Sequence, residues 1–170
     1  KPSISLITNA VDSAHLTQSA GNLQPNRYII VDNSDIIKKI ADACQQDFIK
    51  HAPYLIIICS ESDQVIKLFG IRADEYIKHN TGATGQNILL TLINNGISGS
   101  LVAIYSKNLI RQILGIPDSI EIELIITAGY ELKKGKTKRK FSHSLVNRVF
   151  FNGWGNKLYK PLTFIRRSDV

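Results

Sequence analysis

From Ser3 to Leu16 the apolar residues Ile4, Ile7, Val11 and Ala14 recur every three or four positions, which places them on one face of a short helix. The polar stretch Ser19-Ala20-Gly21-Asn22 ends that pattern. Tyr28 to Val31 is aromatic and β-branched and predicts a strand. Asp32-Asn33-Ser34 then supplies a turn and an N-cap for a helix from about Asp35 to Asp47, with Ile36, Ile37, Ile40 and Ala43 inward. Tyr54 to Cys59 is apolar without alternation, the signature of a strand covered on both faces in the middle of a sheet. A long helix is predicted from about Ala73 to Asn95, carrying Gly82 and Gly85 inside it and stopped by Gly96. Ser100 to Tyr105 reads as a strand, Asn108 to Leu114 as a short helix, and Ile120 to Ala128 as a strand opening with Ile/Glu alternation. Strands interleaved with helices and closing on a strand predict an α+β or α/β sandwich, a small mixed or antiparallel sheet flanked by helices.

The chain of 170 residues suits one domain. With 44% hydrophobic and 21% charged residues it can bury roughly 70% of its unfolded surface, which excludes global disorder. The longest apolar runs fall far short of the ~20 residues a membrane-spanning helix needs. Cys44 and Cys59 lack CxxC spacing, and His15, His51, His79 and His143 form no HExxH, so neither a disulfide framework nor a zinc site is expected. The two cysteines read as buried core thiols and the compartment as a reducing cytoplasm. The first thirty residues show no signal peptide. The sequence opens on Lys1 and contains no methionine, so further sequence is expected upstream.

The net charge of +7 is concentrated late in the chain. Lys133 to Lys140 carries six basic residues in eight positions, a solvated loop unless it meets anionic groups. Only Phe141 stands beside it and no nucleic-acid-binding motif accompanies it, so DNA or RNA is disfavoured as a partner. The tail from Lys157 to Val170 is basic without helical period and is expected to extend along a neighbour; residues 1–156 then form the domain and 157–170 the extension.

Ser19-Ala20-Gly21-Asn22-Leu23-Gln24-Pro25 gathers Ser, Asn and Gln between a helix and a strand. Such a segment reads either as an ordinary turn or as a seat for a planar polar heterocycle, whose edge needs hydrogen bonds while its faces stay dry. The stretch resembles the PSxGNxQPW segment of the FMN-dependent nitroreductase family. The resemblance continues in order through His51-Ala52-Pro53 before the apolar strand and Thr81 to Leu90 in the long helix. It runs on through Gly96-Ile97-Ser98-Gly99-Ser100, Leu114-Gly115-Ile116-Pro117 and Gly129-Tyr130, and closes with Arg139-Lys140, Leu145 and Trp154-Gly155.

The resemblance implies an intertwined homodimer with FMN at each end of its interface. It also implies a ping-pong cycle in which NAD(P)H reduces the flavin and the flavin reduces a quinone, nitroaromatic or other conjugated acceptor. Matched by motif, Ser19, Ala20, Asn22 and Gln24 would contact the flavin or its ribityl chain, Ala103 and Ile104 would lie beside flavin N5, and Lys138 and Arg139 would meet the phosphate. Three departures stand out. The family's N-terminal Arg-Ser-x-Arg clamp falls before Lys1, Gln18 and Asn26 replace the proline and tryptophan around the first motif, and Ala103-Ile104 occupies a Gly-Gly or Glu-Gly position. They leave a second reading, a flavin- or nucleotide-binding domain of the same fold without turnover. The resemblance implies that the flavin, with no catalytic side chain, acts on the acceptor, and the segment Gln64 to Asp74 is the candidate lid.

Overall fold

The structure, a computed structural model, describes residues 1–131 and 148–157. The chain forms two compact units, Lys1–Leu132 and Lys133–Val170. In the second, the rings of Phe150 and Trp154 pack 4.7 Å apart and the Phe151 amide donates to the Asn156 carbonyl at 2.8 Å.

The first unit is built on a four-stranded antiparallel sheet of β1 (Asn26–Val31), β2 (Tyr54–Glu61), β3 (Ser98–Val102) and β4 (Ile120–Gly129), in the order β1-β2-β4-β3. β2 lies inside the sheet, and its residues from Tyr54 to Ser60 are all buried, as its unbroken apolar run requires. Helix α1 (Ile4–Asp12), prolonged by a 3₁₀ turn over Ser13–Leu16, and helix α4 (Ala73–Asn94) cover one face. There Ile7, Ala10, Ile88 and Leu92 meet Tyr54, Ile56, Ile58 and Ile126. Helices α2 (Ser34–Cys44) and α5 (Lys107–Leu114) cover the other, packing Ile37, Ile40 and Ile110 on Leu55, Ile57, Cys59 and Ile125. The result is the α+β sandwich that the hydrophobic pattern predicts.

The local signals hold where they are strong. Asn33 caps α2, its side-chain oxygen accepting from the amides of Asp35 (2.9 Å) and Ile36 (3.1 Å). α2 ends earlier than its expected limit at Asp47, because Gln45 turns left-handed (φ 54°) and its amide closes on the Ala41 and Asp42 carbonyls. β3 starts and stops before the expected Ser100 to Tyr105. After Val102 the chain leaves the sheet so that the Tyr105 hydroxyl reaches the Ile122 carbonyl (3.1 Å) and the Ser106 amide reaches Ala43 (2.9 Å). The expected lid segment contains a helix, α3 (Asp63–Phe69), followed by a 3₁₀ turn over Gly70–Arg72.

The glycines of α4 divide. A Cβ at Gly85 would stand 2.8 Å from Leu124 Cδ2, so this glycine lets the helix settle onto its own sheet, whereas nothing lies within 4 Å of that position at Gly82.

Candidate functional site

Thr17 to Asn26 carries the chain from the end of α1 into β1, and it does so through an unusual backbone. Gly21 (φ 60°), Asn22 (φ 55°) and Gln24 (φ 47°) are all left-handed, a conformation that costs a non-glycine residue about 1–2 kcal/mol. Hydrogen bonds inside the loop hold it there. The Ser19 carbonyl accepts from the Asn22 amide at 3.0 Å, Ser19 Oγ accepts from the Gln24 amide at 3.1 Å, and Gln24 Nε2 donates to the Thr17 carbonyl at 3.0 Å.

α4 supports the loop from behind. Asn80 Nδ2 donates to the Gln18 carbonyl (3.0 Å), Asn87 Nδ2 to the Ser13 carbonyl (2.9 Å), and Thr81 Oγ1 to Asn26 Oδ1 (3.2 Å). Two buried atoms in this layer, Asn26 Nδ2 and Asn80 Oδ1, have no hydrogen-bond partner among the described residues. Burial pushes the nearby Tyr28 phenol above its ordinary pKa, against the opposing pull of Thr84 and Asn26. α3 closes the front: a Cβ at Gly21 would meet Leu68 Cδ2 at 2.9 Å and Phe69 Cζ at 3.5 Å. Leu23 and Phe69 join Val65, Ala73, Ile77 and Tyr76 in a small separate core. Beside the loop, a cleft of about 210 Å³ opens between Leu23, Pro25, Arg27 and Glu61 on one side and Asp63 to Lys67 of α3 on the other.

The four predicted loop residues therefore sit together but differ in what they offer. Ser19 and Gln24 use their side-chain groups to shape the loop, Ala20 lines its inner side with Asn80 and Pro25, and Asn22 is exposed, its side chain making no hydrogen bond to the described residues. Ala103 and Ile104 lie elsewhere. They follow β3 on the far edge of the sheet from β1, three strand spacings or about 14 Å across. Both are exposed, Ile104 to 78%. Lys138 and Arg139 fall outside the described residues, as do Leu145 and the tail after Lys157. Burial pushes the Cys44 and Cys59 thiols up to about 11, with the Glu123 charge adding to the effect at Cys59, which keeps both protonated and unreactive. Among the described residues no cluster of His, Cys, Asp and Glu could hold a metal ion, and no helix is long and apolar enough to cross a membrane.

Sequence reasoning missed the support layer. Its signal was present: Asn80, Thr84 and Asn87 recur at four and three positions on the inward face of a helix otherwise buried through Ile77, Ile88 and Leu92. Polar residues on such a face have partners to reach.

Known proteins share this fold. The sequence profile of the Nitroreductase family matches residues 42–130, just over half of the chain. This protein belongs to the nitroreductase family. An Archaeoglobus fulgidus relative that carries a provisional NADH dehydrogenase/NAD(P)H nitroreductase name is 29% identical over 129 residues, covering 73% of this chain and 71% of its own length. Among solved structures, an FMN-dependent nitroreductase from Clostridium difficile superposes with a TM-score of 0.75 at 18% identity, over 91% of this chain and 90% of that one. The NADPH:FMN oxidoreductase of Vibrio harveyi, in complex with NAD+, gives 0.75 at 16% identity, over 90% and 70%. The structural likenesses establish a common fold, and the family membership establishes an oxidoreductase class for the chain.

Proposed function

We propose that this protein is an FMN-dependent NAD(P)H oxidoreductase that reduces a quinone, a nitroaromatic or another conjugated acceptor. The observation that carries the reading is the Ser19–Gln24 loop, held left-handed at Gly21, Asn22 and Gln24 with the Asn22 side chain exposed, in a chain of the nitroreductase family. The residues present fit a flavin. A planar polar ring needs fixed hydrogen-bonding groups on one edge and apolar cover on its faces, and the loop offers Asn22 beside Leu23 and Leu68. FMN, when bound, supplies the redox chemistry, taking a hydride from NAD(P)H at N5 and passing it on in a ping-pong cycle. The chain binds and orients: Ser19, Ala20, Asn22 and Gln24 at the ring and ribityl chain, Lys138 and Arg139 at the phosphate, and the backbone of Ala103 and Ile104 at the ring's reactive edge.

The separation of the first and last of these groups supports a homodimer. In one chain the loop and Ala103-Ile104 occupy opposite edges of the sheet, so a second copy is needed to bring its own Ala103-Ile104 edge to the loop. Exposed Leu90, Ile93, Leu101 and Ile104 give that copy an apolar surface to cover. The extension 157–170 running along the partner and a cytoplasmic location, where the thiols of Cys44 and Cys59 stay free, belong to the same proposal.

One observation favours the second reading, binding without turnover. Ile104 puts an exposed branched side chain where the resemblance implies a close backbone approach. Purified protein tests both. Yellow protein that releases FMN on denaturation and oxidises NADPH with a quinone acceptor supports the enzyme, and yellow protein without turnover supports the binding domain. Colourless protein that FMN does not reconstitute refutes both, and light scattering that finds a monomer with FMN bound refutes the dimer.

A further inference from the structure

Arg27 and Glu61 meet at the end of the loop where it enters the sheet. The Arg27 guanidinium donates through Nη1 to the Gln24 carbonyl at 3.1 Å and to the Asn26 carbonyl at 3.0 Å, and through Nη2 to Glu61 Oε2 at 2.6 Å. The Glu61 backbone amide donates to the carbonyl between them, Pro25, at 2.9 Å. Three successive carbonyls of the loop are thus each taken by one member of the same pair. Both side chains are about half exposed, where an ion pair adds little to stability. What the pair does fix is geometry. Gln24, the last left-handed residue, has its carbonyl held by Arg27 and its amide held by Ser19 Oγ. A backbone conformation of this kind persists only where its surroundings determine it from several sides.

We propose that Arg27, oriented by Glu61, is a positioning residue for cofactor binding: it holds Gln24 left-handed and so keeps the Ser19–Gln24 loop in the shape that receives the flavin. The inference rests on the functional reading above. A planar guanidinium is suited to the task because its rigid fork fixes the directions of its bonds to two carbonyls and a carboxylate, whereas an ammonium is a point charge with rotatable donors on a flexible stem. α4 already anchors Gln18 through Asn80 and Asn26 through Thr81, so loss of the Arg27 contacts frees the segment between Ser19 and Pro25 rather than the fold.

The test compares Arg27→Gln, Glu61→Leu and Glu61→Gln with the wild type in two measurements. Hydrogen exchange in the apoprotein reads the loop directly: the Asn22 and Gln24 amides should exchange faster in Arg27→Gln and Glu61→Leu, with β4 and the interior of β2 from Leu55 to Ile58 unchanged. Fluorescence titration with FMN should show affinity lower by about tenfold or more in the same two variants, the loss expected when charge-assisted bonds to a binding loop are removed. Glu61→Gln keeps an acceptor for the guanidinium and should stay within about threefold of the wild type. Melting temperatures of the apoproteins should agree within about 2–4 °C, as for an exposed pair. Unchanged exchange at Asn22 and Gln24, or unchanged FMN affinity in a wild type that binds FMN, overturns the proposal. Glu61→Leu frees the guanidinium from the other side and decides the matter should Arg27→Gln not fold. A wild type that does not bind FMN refutes the functional reading itself, a result distinct from any difference among variants, and removes the flavin role from Arg27.

Discussion

Replacing each α4 glycine by alanine should move stability in opposite directions. In a helix interior the substitution gains about 0.8–1 kcal/mol from propensity alone, and at Gly82, with nothing within 4 Å of the new methyl, that gain should be realised. At Gly85 the same gain meets a collision. The added Cβ would lie 2.8 Å from Leu124 Cδ2, 3.6 Å from Leu101 Cδ2 and 3.8 Å from Ile58 Cδ1, so Leu124 must shift to admit it. Overpacking of this kind costs about 1–3 kcal/mol, so Gly85→Ala should come out destabilised by roughly 1 kcal/mol, and the two variants should differ by about 2 kcal/mol. Urea unfolding at equal protein concentration measures the difference as a shift of midpoint at constant slope. Shortening the obstructing side chain gives an internal control. In Gly85→Ala/Leu124→Val the two effects should fail to add, by about 1 kcal/mol in the favourable direction. If Gly85→Ala stabilises the protein as much as Gly82→Ala does, the gap between α4 and the sheet has room for a methyl and the packing argument is wrong.

Asn33→Ala removes the acceptor of the Asp35 and Ile36 amides and should cost about 1 kcal/mol, with Asn33→Asp close to neutral; a loss below 0.3 kcal/mol, well under the usual ~0.5–2 kcal/mol for a cap, would deny the cap its role. Burial raises the pKa of Cys44 and Cys59 to about 11, so the native state keeps protons that the unfolded chain releases near about 8.5. Their contribution is complete below that pH and is lost as pH rises towards 11, with a slope of up to about 1.4 kcal/mol per pH unit for each thiol; flat stability across this window, or rapid modification of both thiols in native protein at pH 8, would contradict it. Arg139→Ala should weaken FMN binding more than Lys133→Ala, by about 1–3 kcal/mol and persistently in high salt, because a directed guanidinium–phosphate pair exceeds a solvated lysine; equal losses would mean that the basic run acts as a diffuse field. Cofactor released from the protein should chromatograph as FMN and not FAD, since no GxGxxG follows a strand to receive an adenine dinucleotide.

Much of this molecule is written in short-range pattern. The unbroken apolar run of β2 could only be satisfied in the middle of a sheet, and the Asn33 cap and the helical spacing from Ala73 onward concern neighbours within a turn or two. The order of family-like segments, from Ser19 to Trp154, was likewise legible in sequence alone. Other features were not, because they depend on residues far apart in the chain. The position of β3 is set by its pairing with β4 and by the reach of Tyr105 to Ile122. Gly85 reads as a defect in a helix until Leu124, 39 positions later, is seen beneath it. The loop from Ser19 to Gln24 shows the division most clearly. Its polar residues are visible in the sequence, yet which of them face outward is decided by Asn80 and Asn87 on α4 and by the Arg27–Glu61 pair across two strands. Local propensity selects the elements, whereas the burial of polar groups that must find partners at long range selects the geometry of the site.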